Sequence, residues 1–379
     1  MKLIIEREPL MSGIQNVMKA ISPKTTIPIL SGIKIETTDQ GIKLTGSNSD
    51  ITIKSIIPTE ENGVVNIHEL TPGKIVIQAK FLPEIIRKLP DNKVEIISDD
   101  DFNILIKSGN AEFKLNGQDA DEYPQLPLVN TNQSFELPIN LLKTLIRQTN
   151  FAVSVSETRP ILTGVYFKLE NSELELVATD SHRLASKKVQ LNDLFNVSFK
   201  NVVVPGKSLA ELNKILEEID DLIEISVTDN QILFKTKNVL FLSRLLEGNY
   251  PETSRLIPDQ SKTDIYVNSK DLIESIDRAS LLAKDNKNNI VKLVTQNNQL
   301  EITSHSPEIG TVQELLTADS VEGEELKISF NAKYMIDALR AIESDKIVIR
   351  FNGAMRPFVI RPQNENETIL QLVTPVRTY

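Results

Sequence analysis

The sequence contains no cysteine and no tryptophan, only three histidines, and 5% aromatic residues. Without cysteine there is no disulfide framework, no thiolate zinc site, no iron–sulfur cluster and no thiol nucleophile. His68, His182 and His305 lie far apart with no ligand spacing, so a histidine metal site is not expected either. Scarce aromatics argue against the stacking platforms that hold single-stranded nucleic acid. Long apolar runs are missing too: none reaches the ~20 residues that a bilayer crossing takes. The opening "MKLIIEREPL" brings in charge too early for a signal peptide. A cytoplasmic protein with no cofactor, no metal and no membrane partner is the expectation.

The 379 residues suffice for two or three domains of ~150 residues, and internal similarity sets the number at three. "TIPILSGIKIETTDQGIKLTGSNSDITIKSIIP" (residues 26–58) is answered by "TRPILTGVYFKLENSELELVATDSHRLASKKV" (158–189). A fainter copy is "NNIVKLVTQNNQLEITSHSPEIGTVQEL" (288–315). Within the repeats apolar residues alternate. Leu174, Leu176 and Ala178 fall on one face of a strand, with Glu173, Glu175 and Val177 on the other. Helical spacing predicts amphipathic helices over 7–21, 80–89, 140–155, 207–219, 270–284 and 333–343. The pattern is six strand–helix–strands units, paired into three α+β domains at 1–128, 129–258 and 259–379. Equivalent domains suggest closure into a ring by a homo-oligomer.

The net charge of −10 opposes nucleic-acid binding when taken as a sum. Its distribution does not. The predicted helices hold 14 Lys and Arg against 10 Asp and Glu, so the negative charge is concentrated in strands and loops. Helices facing one way would present a basic lining to a phosphate backbone without reading bases.

"ATDSHRLA" puts Asp180, Ser181 and His182 side by side, the three residue types of a charge relay. In an extended segment neighbours point to opposite faces, so adjacent residues cannot build one, and no G-x-S-x-G elbow exists. "SDDDF" lacks EF-hand spacing and "VVVPGKSLAEL" lacks that of a phosphate loop. No enzyme reading survives. What remains is a polar corner between strands, matched by Ser47-Asn48-Ser49-Asp50 in the first repeat and Ser304-His305-Ser306-Pro307 in the third. The copies read as sharing the fold of this corner but not its residues.

Over its whole length the chain resembles the bacterial β sliding clamps, the processivity subunits of DNA polymerase III, in their low-GC Gram-positive form. The carriers are the threefold repeat with "TIPILSGI", "SETRPILTG", "ATDSHRLA", "VVVPGKSLAEL", "LLEGNYP", "ISFNAKYMIDAL" and the tail "TPVRTY". The resemblance implies three repeated clamp domains in a head-to-tail homodimer, a ring around double-stranded DNA that does no chemistry. It also implies a pocket for short, partly apolar peptides. The polymerase III alpha subunit, the clamp loader, repair polymerases and mismatch-repair proteins would bring them. Carried over by motif, the pocket takes Leu162, Thr179, Ser181, His182, Arg183, Leu184, Pro251 and Leu256 from the second domain. The third adds Asn331, Tyr334, Met355, Pro357, Leu372, Thr374, Pro375, Val376 and Arg377. The apolar members would bury Leu or Phe anchors. Arg183, Arg377 and Asn331 would satisfy polar atoms at the rim.

Thr374 stands where relatives often carry Met or Leu, which implies a more polar subsite, and Ser181 stands where others have Gly. For DNA, the resemblance points to Lys24, Lys80, Arg159 and Lys207, and Pro160 replaces a Tyr of some relatives. A DNA-independent peptide-binding scaffold with the same fold is the alternative function.

Overall fold

The first two repeats open with the same small turn. Pro28–Ser31 and Pro160–Thr163 are each a single 3-10 turn with Pro at its start. The Ser31 hydroxyl donates to the Pro28 carbonyl at 2.6 Å, and the Thr163 hydroxyl to that of Pro160 at 2.7 Å. A glycine then starts a strand in both copies. A Cβ on Gly32 would lie 2.4 Å from Val76 Cγ1, and one on Gly164 2.7 Å from Val203 Cγ1, so neither site admits a side chain.

The computed structural model describes residues 1–125, 134–191, 197–217, 221–258, 260–283, 289–364 and 368–377. All six predicted helices form: α1 Arg7–Met18, α2 Leu82–Lys88, α3 Ile139–Thr149, α4 Gly206–Ile215, α5 Ser269–Ala283 and α6 Ala332–Ile342. α3 stops six residues before the predicted end at 155. The Thr149 hydroxyl donates to the Leu145 carbonyl, and the chain tightens into a 3-10 turn over Asn150–Ala152. Residues 218, 219 and 284 of the predicted helices lie outside the described residues, as do residues 128, 129 and 259 at the predicted domain boundaries.

The chain forms two compact units, one of Met1–Ile139 with Glu211–Leu245, the other of Asn140–Ala210 with Leu246–Tyr379. They cut through the middle repeat because the sheets run from one repeat into the next. In the first unit, an eight-stranded sheet joins four strands of the first repeat to four of the second, where Ile51–Pro58 pairs antiparallel with Val239–Arg244. A second sheet of five strands ends at Ala111–Asn116. In the other unit, a nine-stranded sheet makes the corresponding joint: Arg183–Gln190 pairs with Ile369–Val373, Leu184 opposite Leu372. A four-stranded sheet there ends at Gly310–Thr317.

The predicted alternation holds for one face of the strand Glu173–Thr179, where Leu174, Leu176 and Ala178 are fully buried. Val177, on the other face, is buried as well. That face is covered locally by a cluster of Val177, Leu184, Val359, Leu370 and Leu372, with Tyr166, Tyr250 and Ile257 packed against it.

Candidate functional site

The corner after Glu173–Thr179 is a turn held by its own side chains. The Thr179 hydroxyl donates to the Arg183 carbonyl at 2.6 Å and accepts from the Ser181 N–H at 3.1 Å. Asp180 Oδ1 accepts the backbone N–H groups of His182 and Arg183 at 2.8 and 3.0 Å. Ser181 adopts φ +78°. The first repeat does the same with Ser47, Asn48 and Ser49. Ser47 bonds the Ile51 carbonyl, Asn48 Oδ1 accepts from Asp50 and Ile51, and Ser49 sits at φ +79°. This corrects the sequence reading. The two corners share their residue chemistry up to Ser181, and the middle copy departs only at His182 and Arg183, which replace Asp50 and Ile51. It also corrects the geometry of the rejected relay, since the segment is a turn rather than an extended strand. Asp180 spends one oxygen on backbone N–H groups, not on the His182 ring.

Arg183 is where the departure matters. Its Nε donates to Asp180 Oδ2 at 3.1 Å, Nη1 to Asp337 Oδ2 at 2.8 Å, and Nη2 to the Phe151 carbonyl at 2.7 Å. The guanidinium lies 4.6 Å from the Tyr334 ring centre and 5.3 Å from that of Phe151. The side chains of Arg183 and Asp180 are only 10% and 12% exposed. Arg183 therefore ties the corner to α6 and to the turn after α3, and its donors are engaged inside the protein. The resemblance implied a rim role for it; the three bonds above are all to acceptors within the chain.

The other expected residues divide into groups. The His182 ring stacks beside Tyr334 at 6.4 Å and 17°. Burial, then the Asp180 carboxylate, push the Tyr334 hydroxyl above its ordinary pKa. The His182 carbonyl accepts both the backbone N–H and the hydroxyl of Thr374, each at 2.9 Å. The Thr374 hydroxyl is thus engaged in holding the C-terminal tail. The tail is fixed again by the Val376 N–H on the Ser329 carbonyl at 2.7 Å. Asn331 caps α6, its side chain accepting from the Tyr334 N–H at 3.1 Å.

Leu162, Leu184 and Leu372 are buried, and Leu184 and Leu372 belong to the cluster that contains Val177. Leu256 and Met355 are about half exposed, Ser181, Pro251 and Arg377 are exposed, and Pro357 and Pro375 are partly so. A cleft of about 600 Å³ opens over the cluster, between the sheet and residues 250–257, and includes Leu184 and Pro251 from the expected set. Tyr166 and Tyr250, stacked at 5.3 Å on its wall, were not foreseen. The signal was present. Along Glu173, Glu175 and Val177 the outward face turns from charged to apolar, and Lys168 to Tyr166 does the same on the neighbouring strand.

Lys24, Lys80, Arg159 and Lys207 are all exposed, the first two in one compact unit and the last two in the other. Lys80 lies 5.2 Å over the Phe81 ring, and Lys207 is 4.0 Å from Glu157. Part of the helical positive charge is neutralised locally: Arg147 pairs with Glu343, Arg278 with Glu314 and Lys214 with Glu211. Among the described residues no group of three or more His, Asp or Glu is arranged to hold a metal ion, and no helix is long and apolar enough to cross a membrane.

A chain of repeated α+β domains joined through continuous sheets, with a polar corner beside an apolar cleft, is the architecture of a clamp-type protein. Models of the DNA polymerase III beta subunit match it three times in order: the N-terminal domain over residues 1–127, the central domain over 136–252 and the C-terminal domain over 254–377. The chain is 55% identical to the beta sliding clamp of Bacillus subtilis (strain 168) and 47% identical to that of Staphylococcus aureus (strain N315), with all of each chain covered. The crystal structure of the DNA polymerase sliding clamp from Bacillus subtilis superposes over the full length of both chains with a TM-score of 0.97 at 55% identity. That of the DNA polymerase III beta chain from Streptococcus pneumoniae does so with 0.95 at 40%. The chain belongs to the DNA polymerase III beta subunit, or beta sliding clamp, family.

Proposed function

We propose that two copies of this chain close head to tail into a ring around double-stranded DNA in the cytoplasm. The ring tethers the replicative polymerase without catalysing a reaction itself. The observation that carries this is the ordered match of all three clamp domain models across the whole chain. Its domains would be those read from the sequence, at 1–128, 129–258 and 259–379. Topological linkage then replaces tight binding, so a few exposed cations such as Lys24, Lys80, Arg159 and Lys207 suffice for a sequence-independent hold.

Head-to-tail closure needs two different, complementary surfaces. The edge strand Ala111–Asn116 in one compact unit carries Phe113, 36% exposed, and the edge strand Gly310–Thr317 in the other carries Leu315, 61% exposed. Leu281 on α5, which packs on that second edge strand, is 60% exposed. Unpaired backbone beside exposed apolar side chains favours a strand-to-strand junction between copies. The corner at residues 179–183, Tyr334 and the C-terminal tail would receive the short apolar peptide motifs of the polymerase alpha subunit, the clamp loader and repair proteins.

The test is retention on DNA. Loaded by a clamp loader, the protein should remain on closed circular duplex through gel filtration and be lost after linearisation. Equal retention on circles and linear duplex would overturn the clamp reading in favour of a DNA-independent scaffold.

A further inference from the structure

The cleft beside the corner has two unlike ends. One is the apolar cluster around Val177, Leu184 and Leu370, with Tyr166 and Tyr250 on the wall. The other is lined by charge: Lys168, Lys188, Lys200, Glu175 and Arg361. The lysines there already have carboxylate neighbours: Lys168 and Lys200 share Glu170 at 3.0 and 2.6 Å, and Lys188 pairs with Glu173 at 3.1 Å. Arg361 is different. Its Nε is buried and has no hydrogen-bond partner, and no carboxylate among the described residues forms an ion pair with it. An arginine on the cleft wall with no local carboxylate to answer it keeps its charge for an acidic occupant of the cleft. Burial and then the neighbouring Arg350 press its pKa below the ordinary guanidinium value, the direction expected of a cation lacking a counter-charge.

We infer that the charged end of this cleft is an extension of the peptide site, which binds a carboxylate-bearing residue flanking the apolar anchors of a partner peptide, with Arg361 as its acceptor-seeking group. This rests on the proposal that the corner and cluster receive such peptides. Continuity supports it: Leu184 and Pro251 belong both to the expected pocket and to the cleft, so a chain seated on the apolar floor is led toward Arg361. Chemistry narrows the occupant. The carboxylates on the lining already face cations, Glu175 with Lys188 at 3.9 Å and Glu252 with Arg255 at 2.9 Å, whereas Arg361 has no carboxylate partner among the described residues.

Fluorescence polarisation with three labelled peptides tests this: a pentapeptide carrying Leu and Phe anchors, and the same peptide extended by Glu-Glu at its N-terminus or at its C-terminus. One extended peptide should bind about fivefold more tightly than the unextended one. Arg361→Gln should abolish that gain while leaving the unextended peptide's affinity and the melting temperature unchanged. Equal affinity of all three peptides, or a gain that persists in Arg361→Gln, would overturn the extension and leave the pocket intact. Failure of the unextended peptide to bind would instead overturn the pocket reading, and the extension with it.

Discussion

Replacing Arg183 with alanine removes three hydrogen bonds that reach three separate segments: the corner itself, α6 and the turn after α3. Deleting one partner of a buried ion pair typically costs about 3–5 kcal/mol, because the other charge is left without compensation. Two features lower that figure here. Asp180 keeps the backbone N–H groups of His182 and Arg183, and Asp337 is 27% exposed and can turn to water. A loss of about 2–3 kcal/mol follows, which in a unit of this size lowers the melting temperature by about 5–10 °C. Tyr334 also loses the cation on its ring face, so an anchor-bearing peptide should bind about three- to fivefold more weakly. Arg183→Lys separates charge from shape. A point charge cannot serve a carboxylate on each side and a carbonyl in one plane, so the lysine variant should recover less than half of either loss. Differential scanning calorimetry and peptide polarisation on the three proteins read both quantities. An Arg183→Lys protein indistinguishable from wild type would refute the fork geometry, and an unchanged melt in Arg183→Ala would refute the tie between segments.

Ser181→Gly should raise the melting temperature slightly or leave it unchanged. Glycine relieves the φ of +78° but adds freedom to the unfolded chain, two effects of about 0.5–1 kcal/mol that oppose each other; a drop of several degrees would show that the hydroxyl is needed. Phe113→Glu or Leu315→Glu should give a species eluting near 42.5 kDa rather than twice that mass, and an unaltered elution volume would exclude these edges from the junction. Hydrogen bonding to Arg278 holds the Glu314 carboxyl below its ordinary value, and Lys235 does so for Glu224. A lowered folded-state pKa stabilises fully above the unfolded value near 4.5 and is lost as pH falls through the lowered one. Glu314→Gln should therefore flatten the acid limb of a pH–stability curve below about pH 4.5, and a limb of unchanged steepness would remove Glu314 from it.

Local pattern was enough for the helices and hairpins. Alternation in "ELELVA" and the Pro-Ile-Leu-Ser/Thr-Gly turn each depend on neighbours within a few residues, so they are written in consecutive letters. The sheets that run across repeat boundaries are not. Which strand follows Arg183–Gln190 in the sheet is decided by Ile369–Val373, some 180 residues away, and nothing local marks that choice. The site divides in the same way. Thr179, Asp180 and Ser181 form a turn that short-range rules describe, whereas Arg183 is defined by Asp337 and the Phe151 carbonyl, which no spacing in the sequence associates with it.

The two joints between repeats differ in a way that favours placing the proposed peptide site at the later one. In both, a residue at the end of the added strand bonds back to the corner: the N–H of Arg244, the strand's last residue, donates to the Asp50 carbonyl at 2.9 Å, and that of Thr374, just past its strand, to the His182 carbonyl at 2.9 Å. The backbone frame is thus duplicated, and so are the hydroxyl and Asx bonds that shape the corner. What differs is carried by side chains that the frame does not require. Asp50 and Ile51 stand where the later joint has His182 and Arg183, and in the repeat pattern Ser208 of α4 stands where α6 has Tyr334. Among the described residues, the stacked pair of His182 and Tyr334 with the Arg183 guanidinium on the Tyr334 face lies at the later joint. The corner's scaffold is common to both joints, and the three residues that differ are the ones on which the proposed recognition at the later joint depends.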